Sequence, residues 1–436
     1  MRRKAAIALG GCLGLMLAAG LALFWATREP LCQGKPVRIW VEVIGQGQYG
    51  PQQLAEEQLE TVAPLAVSAL LEALRTDRKP LRDQINDWWL KLWSKLPPGV
   101  QKLTPQPRFY FKPDRRMWIQ ALGRFGPHDK RAPPALIREL GNKDSEVRFF
   151  ATSTLGDIAT NWADEPAMER EIIQSLERML KDTAFNVRGS AAYSLARCGP
   201  AAGGSVPALI ALLNDPEEHS RSAAVRAISY IGGDSNLIVP AIAPLLQSTQ
   251  LITRAFAAYA ICQATGDTET GLPVLVGLLS AEEHEWEDSP RSIAAGLIGR
   301  LGTRAESALP DLQRAMESSE TGTRIEAARA IWRISGNPSN AIPVLRSALA
   351  KGNRGERIWI TEKLAEFGPE AADALPELMV ALQDQDFLIR GNAVRAIGNI
   401  GPAAAIALPN LKLLLTDPFP SIRRNVAKAI TKISAN

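Results

Sequence analysis

The side chains most often used as nucleophiles, proton carriers and transition-metal ligands are scarce in this chain: three histidines, His128, His219 and His284, and four cysteines, Cys12, Cys32, Cys198 and Cys262. The histidines are widely separated. Only His284 has acidic company, in the run Glu282-Glu283-His284-Glu285-Trp286-Glu287-Asp288, where clustered carboxylates could attract a cation. One histidine among flexible carboxylates lacks the fixed ligand spacing of a dedicated metal site, so a solvated loop is expected there. No Gly-rich phosphate loop, Ser nucleophile elbow or Cys-x-x-Cys pair is present. Four cysteines are too few for a disulfide scaffold. Cys198 and Cys262 read as packed hydrophobes, whereas Cys32 could bridge two chains in an oxidising compartment. No catalytic residue, metal ligand or cofactor is assigned, and the chain is read as not an enzyme.

Arginine carries the organising pattern instead. Stepping back 33 residues at a time from Arg390 reaches Arg357, Arg324 and Arg291, then 37 to Arg254, 33 to Arg221 and Arg188, 40 to Arg148, and 33 to Arg115 and Arg82. Stepping forward 33 reaches Arg423. A period of this length is what stacked helical hairpins require. The two longer strides mark insertions, seven residues near Thr160 to Pro166 and four near Glu282 to Pro290.

The residues around each arginine define the elements that must position it. Places three, seven and ten after it are apolar: Ala393, Ile397 and Ile400 follow Arg390, and Ala327, Ile331 and Ile334 follow Arg324. Those offsets make one helical stripe. Eleven residues on stands Gly126, Gly199, Gly232, Gly302, Gly368 or Gly401, predicting an αL cap that ends the helix. Fourteen residues before the arginine stands Pro134, Pro207, Pro240, Pro310, Pro343, Pro376 or Pro409, tolerated in a first helical turn. Asp182, Asp215, Asp384 and Asp417 lie in the turn between the two helices and are expected to cap the second. The pattern predicts an all-α chain, an α-solenoid of about ten to eleven hairpins.

The unit Pro207-Ala208-Leu209-Ile210, Asp215, Arg221, Ala224-Val225, Ile228, Ile231-Gly232 resembles the HEAT repeat, in particular the short bacterial kind of the phycobilisome-lyase type. The resemblance covers residues 61–436 and implies a binding scaffold. It also implies a structural arginine that pairs with the turn aspartate and nearby carbonyls. HEAT-like chromophore lyases keep open an alternative, an enzyme or enzyme subunit, or a metal at the 282–288 loop. The HEAT-fold di-iron hydroxylases carry several His-Glu pairs, of which this chain has only His284-Glu285.

Places two, five and nine after each register arginine lie opposite the apolar stripe. There Arg197, Arg226, Arg300, Arg329, Arg333 and Arg395 are interleaved with Tyr193, Tyr259 and Trp359. Arginine with aromatics is the composition of interface anchors. In HEAT-like solenoids the second helices line the concave side, so these nine residues are the expected contact face for an acidic protein segment. A small-molecule substrate is not expected.

The N-terminus sets the compartment. Arg2-Arg3-Lys4 precedes 22 uncharged residues, Ala5 to Ala26, long enough to span a bilayer. A signal core is usually about 7–15 residues, which favours an uncleaved anchor (1–28) over a signal peptide. Either way the positive cluster stays cytoplasmic, which places the solenoid in the cell envelope outside the cytoplasm, or secreted if cleaved. Without those three residues, 50 basic side chains become 47 against 46 acidic, so nothing calls for nucleic acid. Residues 29–60 are expected to be a juxtamembrane cap for the 61–436 solenoid, with Pro36 to Ile44 helical. Trp88, Trp89, Trp93 and Trp118 are expected mainly in the core, leaving the Pro105 to Pro113 loop as a secondary contact site.

Overall fold

The computed structural model describes residues 31–32, 35–36, 63–75, 115–281 and 289–435. The anchor of 1–28, most of 29–60, the Cys32 side chain, Arg82, Trp88, Trp89, Trp93, the Pro105 to Pro113 loop and the 282–288 run lie outside the described residues. Leu31–Cys32 (β1) pairs antiparallel with Lys35–Pro36 (β2). Every other regular element among the described residues is helical.

The chain divides into two compact units, 1–139 and 140–436. In the first, Ala63–Arg75 (α1), Arg115–Phe125 (α2) and Ala132–Glu139 (α3) bury Leu70, Leu74, Ile119, Leu122 and Leu136. Trp118 is half-buried. Arg115 clamps Glu139 through Nε and Nη2 at 2.6 and 2.8 Å.

The second unit opens with Ser145–Ala159 (α4), Pro166–Met179 (α5), Phe185–Cys198 (α6), Val206–Leu212 (α7), Glu218–Ile231 (α8) and Ser235–Ile242 (α9). It continues with Leu251–Thr265 (α10), Gly271–Leu278 (α11), Pro290–Arg300 (α12), Leu309–Ala315 (α13), Thr321–Ser335 (α14) and Ala341–Lys351 (α15). It closes with Arg354–Phe367 (α16), Leu375–Ala381 (α17), Phe387–Ile400 (α18), Leu408–Leu413 (α19) and Pro420–Ser434 (α20). From α5 on, each odd-numbered helix and the even-numbered one after it form a hairpin, and the hairpins stack as an α-solenoid.

The predicted stripe is the core. Ala393, Ile397 and Ile400 are buried, as are Ala327, Ile331 and Ile334. Each large member contributes roughly 1.5–3 kcal/mol by leaving water. Small residues let neighbouring even-numbered helices approach closely: a Cβ on Gly299 would lie 2.7 Å from Ala330 Cα, and one on Gly398 3.0 Å from Ala429 Cα. The odd-numbered helices touch one another far less. The row of even-numbered helices is therefore the tighter, inner side of this unit.

Three local expectations are corrected. Gly199, Gly232, Gly368 and Gly401 take positive φ (57° to 75°) but ψ between −131° and −164°, not αL. That region is open essentially only to glycine, and at Gly199, Gly368 and Gly401 it turns the chain straight into a seven-residue 3-10 segment leading to the next hairpin. Gly126 takes no positive φ. The αL cap appears at Gly266 and Gly336. Second, Pro240 falls inside α9, because that helix starts early on its Asp234 N-cap. Third, the turn aspartates stand two residues before the N-cap: Asp182 accepts from Ala184 N–H (2.8 Å) and Asp417 from Phe419 N–H (2.8 Å). From that position a carboxylate closes the turn and keeps its other edge free.

The register arginines use that edge. Each is the fourth residue of its even-numbered helix in the second unit, except Arg291, the second of α12. Arg188 Nη1 donates to the carbonyls of Asp182 (2.9 Å) and Thr183 (3.2 Å), fastening its own turn. Its Nε and Nη2 donate to both Asp215 oxygens, 27 residues on, at 2.6 and 2.8 Å. Arg390 repeats this with Asp417 at 2.9 and 3.3 Å, and Arg357 reaches Asp384. Arg148 grips Asp182 at 2.7 Å through both donors across 34 residues, the extra seven being the 160–166 insertion. The arginine is structural, as the resemblance implies. In the middle of the array these rungs are missing. Counting 27 residues from Arg221, Arg254, Arg291 and Arg324 arrives at Ser248, Ala281, Ser318 and Lys351.

Candidate partner-binding face

The outward places of the even-numbered helices hold two different chemistries. Across α6, α8, α10 and α12, Tyr193, Arg226, Tyr230, Phe256, Tyr259 and Arg300 form one cluster. The Arg226 guanidinium lies 5.1 Å from the Phe256 ring centroid, 5.6 Å from Tyr193 and 5.9 Å from Tyr230. Arg300 lies 5.1 Å from Tyr230. Tyr230 meets Phe256 and Tyr259 edge-on at 6.0 and 6.3 Å. Both arginines are exposed, and among the described residues neither has a carboxylate within ion-pair distance. Held by ring faces, which attract a cation without neutralising it, they present uncompensated charge on a fixed aromatic floor.

Tyr259 belongs to that floor more than to its surface. It is buried, its hydroxyl accepts from Gln263 Nε2 at 2.8 Å, and burial raises its pKa. Tyr193 is half-buried and packs against His219 at 5.8 Å between centroids. Arg197 is exposed but paired with Asp157 of α4.

Further along, across α14 and α16, the same places hold a closed ion network. Arg329, expected as a contact residue, is corrected: it is only 5 % exposed and is spent on Glu326 (Nη1, 2.5 and 2.6 Å) and Glu366. Glu326 sits one turn earlier on the same helix and Glu366 on the next even-numbered one, so the guanidinium is folded in between them. Its Nε is buried without a hydrogen-bond partner. Arg333 also bonds Glu366, at 3.1 Å; burial lowers its pKa, and the neighbouring Arg329 charge adds to this. Burial works to raise the Glu366 pKa, but Arg329, Lys363 and Arg333 together hold it below its usual value. Trp359 is half-buried and packs against the apolar core. Arg395 is exposed, with no ion pair among the described residues.

The structure therefore joins Tyr193, Arg226, Tyr259 and Arg300 in one open cluster and ties Arg329 and Arg333 into another. Arg197, Trp359 and Arg395 stand outside both. Glu326 is the compensating residue that the sequence reading missed, although its spacing of three before Arg329 is that of helix-surface ion pairs. Neither thiol invites chemistry: Cys262 is buried, and burial pushes the Cys198 pKa up to about 11. Among the described residues no group of three or more His, Cys, Asp or Glu could hold a metal.

A stacked helical-hairpin array with a tight inner row of second helices is an α-solenoid, a class of fold whose extended inner surfaces commonly bind partners. The HEAT-repeat family model matches residues 173–239 and 342–430. Several solved structures are similar to it. An engineered protein shares 21 % identity, covering 85 % of this chain and 99 % of its own, at TM-score 0.36. The CpcE–CpcF complex of phycocyanin lyase from Nostoc shares 19 %, covering 68 % and 94 %, at 0.39. The karyopherin Kap121p, bound to the extreme C-terminus of the protein phosphatase Cdc14p, shares 13 %, covering 91 % and 45 %, at 0.35. No curated protein matches the chain.

Proposed function

We propose that this chain is a non-enzymatic interaction scaffold of the cell envelope that holds an acidic protein segment against its inner helix row. Arg2-Arg3-Lys4 and the apolar run 5–26 support an N-terminal membrane anchor with the solenoid outside the cytoplasm. One observation carries the binding reading: Arg226 and Arg300, exposed and without a carboxylate partner among the described residues, stand over Tyr193, Tyr230 and Phe256. Two cations on a rigid aromatic floor suit a carboxylate-bearing segment that lays apolar carbon on the rings. Such a floor loses little side-chain entropy on binding.

The test is titration of the full chain with a fluorescent peptide of alternating Glu and Phe, read by anisotropy. Arg226→Glu with Arg300→Glu should weaken binding at least tenfold, and salt should weaken the wild type. Equal affinity in wild type and double variant would remove the aromatic–arginine cluster as the site.

A further inference from the structure

The missing rungs leave clefts. At Arg148, Arg188 and Arg390 the turn aspartate fills the space beside the Nε/Nη2 edge of the register arginine. At Arg324 that space is an open cleft of about 510 Å³ between the start of α14, one side of α15 and the start of α16, lined by Thr321, Arg324, Val344, Ser347, Lys351 and Glu356, among others. A second cleft of about 500 Å³ opens beside Arg254, where Ala281 replaces the aspartate. Clefts thus accompany loss of the rung carboxylate in two separate repeats.

The Arg324 cleft has the chemistry of the absent group. Arg324 Nη1 donates to the carbonyls of Ser318 (2.8 Å) and Ser319 (2.7 Å), and Nη2 to Thr321 Oγ1 (3.1 Å). These bonds fix the guanidinium in the pose Arg188 and Arg390 use for their aspartates. Its Nε has no acceptor among the described residues. At the aspartate's own position stands Lys351, exposed and likewise without a carboxylate partner among them. The wall's one carboxylate, Glu356, is engaged in its capping box, Oε2 accepting from Asn353 N–H at 2.7 Å.

We propose that this cleft binds a carboxylate side chain supplied by another protein, an Asp or Glu of an acidic segment completing the rung between Arg324 and Lys351. The pre-set guanidinium edge matches a planar carboxylate bidentately, and Glu356 on the wall disfavours a doubly charged phosphate. The site lies on the turn edge of the array, on residues other than the Arg226 cluster, and stands independently of the helix-face reading.

Carbodiimide coupling tests it, because it joins a carboxylate to an amine with no spacer, so a lysine beside which the cleft holds the peptide carboxylate is modified faster than an exposed lysine met only by diffusion. The full chain is treated with carbodiimide and an N-acetylated, C-amidated Gly-Gly-Asp-Gly-Gly peptide, and modified lysines are counted by mass spectrometry. Lys351 should be modified at least fivefold more than Lys428. Arg324→Gln, which keeps the lysine, should bring Lys351 down to the Lys428 level, whereas Arg226→Glu with Arg300→Glu should leave it unchanged. If Arg324→Gln unfolds the repeat, Thr321→Val, which removes only the bond orienting Nη2, serves instead and should lower Lys351 modification at least twofold. Lys351 modified no more than Lys428, modification indifferent to these substitutions, or inhibition by inorganic phosphate beyond chloride of equal ionic strength would each overturn the proposal.

Discussion

Arg390 and Arg324 occupy the same place in their helices and hold the same two turn carbonyls, yet Arg390 goes on to grip Asp417 while Arg324 faces Lys351. The contrast extends to regions. Repeats around Arg148 and Arg188, and again around Arg357 and Arg390, are tied to their neighbours by guanidinium–carboxylate rungs; from Arg221 to Arg324 the position 27 residues on holds no carboxylate. The exposed Arg226–tyrosine cluster lies largely within this unrunged stretch. The lesson is that one arginine position, with the same hold on its own turn, either ties two repeats together or leaves its guanidinium edge open, according to whether the aspartate 27 residues on is present.

The sharpest way to break the comparison is to convert a runged repeat into an unrunged one. Asp215→Ala leaves Arg188, only 13 % exposed in its side chain, without its carboxylate; such losses cost about 3 kcal/mol. Hydrogen exchange should accelerate in α6 and α8 and stay unchanged in α14. A perturbation blind to rungs comes next: Gly299→Ala drives a methyl against the Ala330 backbone and should cost about 2 kcal/mol by overpacking, read as a lower urea midpoint.

Acid should separate the two regions. The Arg188 hydrogen bond holds the Asp215 carboxyl below its usual range; at Asp182 burial opposes the shift, but Arg148 and the Ala184 N–H prevail. A carboxylate with a depressed folded-state pKa adds stability that is fully present above its unfolded value near ~3.9 and is lost as pH falls through the folded value. Below about pH 4, α4 to α8 should lose protection, after correction for intrinsic exchange, before α10 and α11 do.

Installing a rung should do the reverse. Lys351→Asp places a carboxylate opposite Arg324 and should stabilise α14 to α16 by about 1 kcal/mol, seen as slower exchange confined there. The smallest effect belongs to the open face. Arg226→Ala removes only exposed cation–ring contacts and should cost about 0.5–1 kcal/mol in urea unfolding, while the helix-face reading expects it to weaken acidic-peptide binding.

Periodicity made the solenoid legible, because a helix buried against both neighbours must repeat its apolar stripe, and Ile331 and Ile397 follow that rule. Backbone detail was less accessible. Gly401 had to be glycine for its positive φ, but its ψ is set by the 3-10 segment that follows, which leaves no side-chain signature. The resemblance implied that the register arginine pairs with a turn aspartate; that this aspartate belongs to the following turn, 27 residues on, had no local signature. For the face, residue type showed where arginine stands, not whether it is free: Arg226 and Arg329 share one register place, and only Glu326 and Glu366 make the second unavailable. The HEAT-repeat match skips residues 240–341, where three of the four rungless turn positions, Ser248, Ala281 and Ser318, lie.

The Arg148–Asp182 rung spans 34 residues with the same short bonds that its neighbour makes across 27. Seven additional residues have been spliced between two repeats without changing how those repeats mate. The 160–166 segment is thus a ready graft point, where a reporter or a second binding module could be inserted into the chain while the array on either side keeps its pitch.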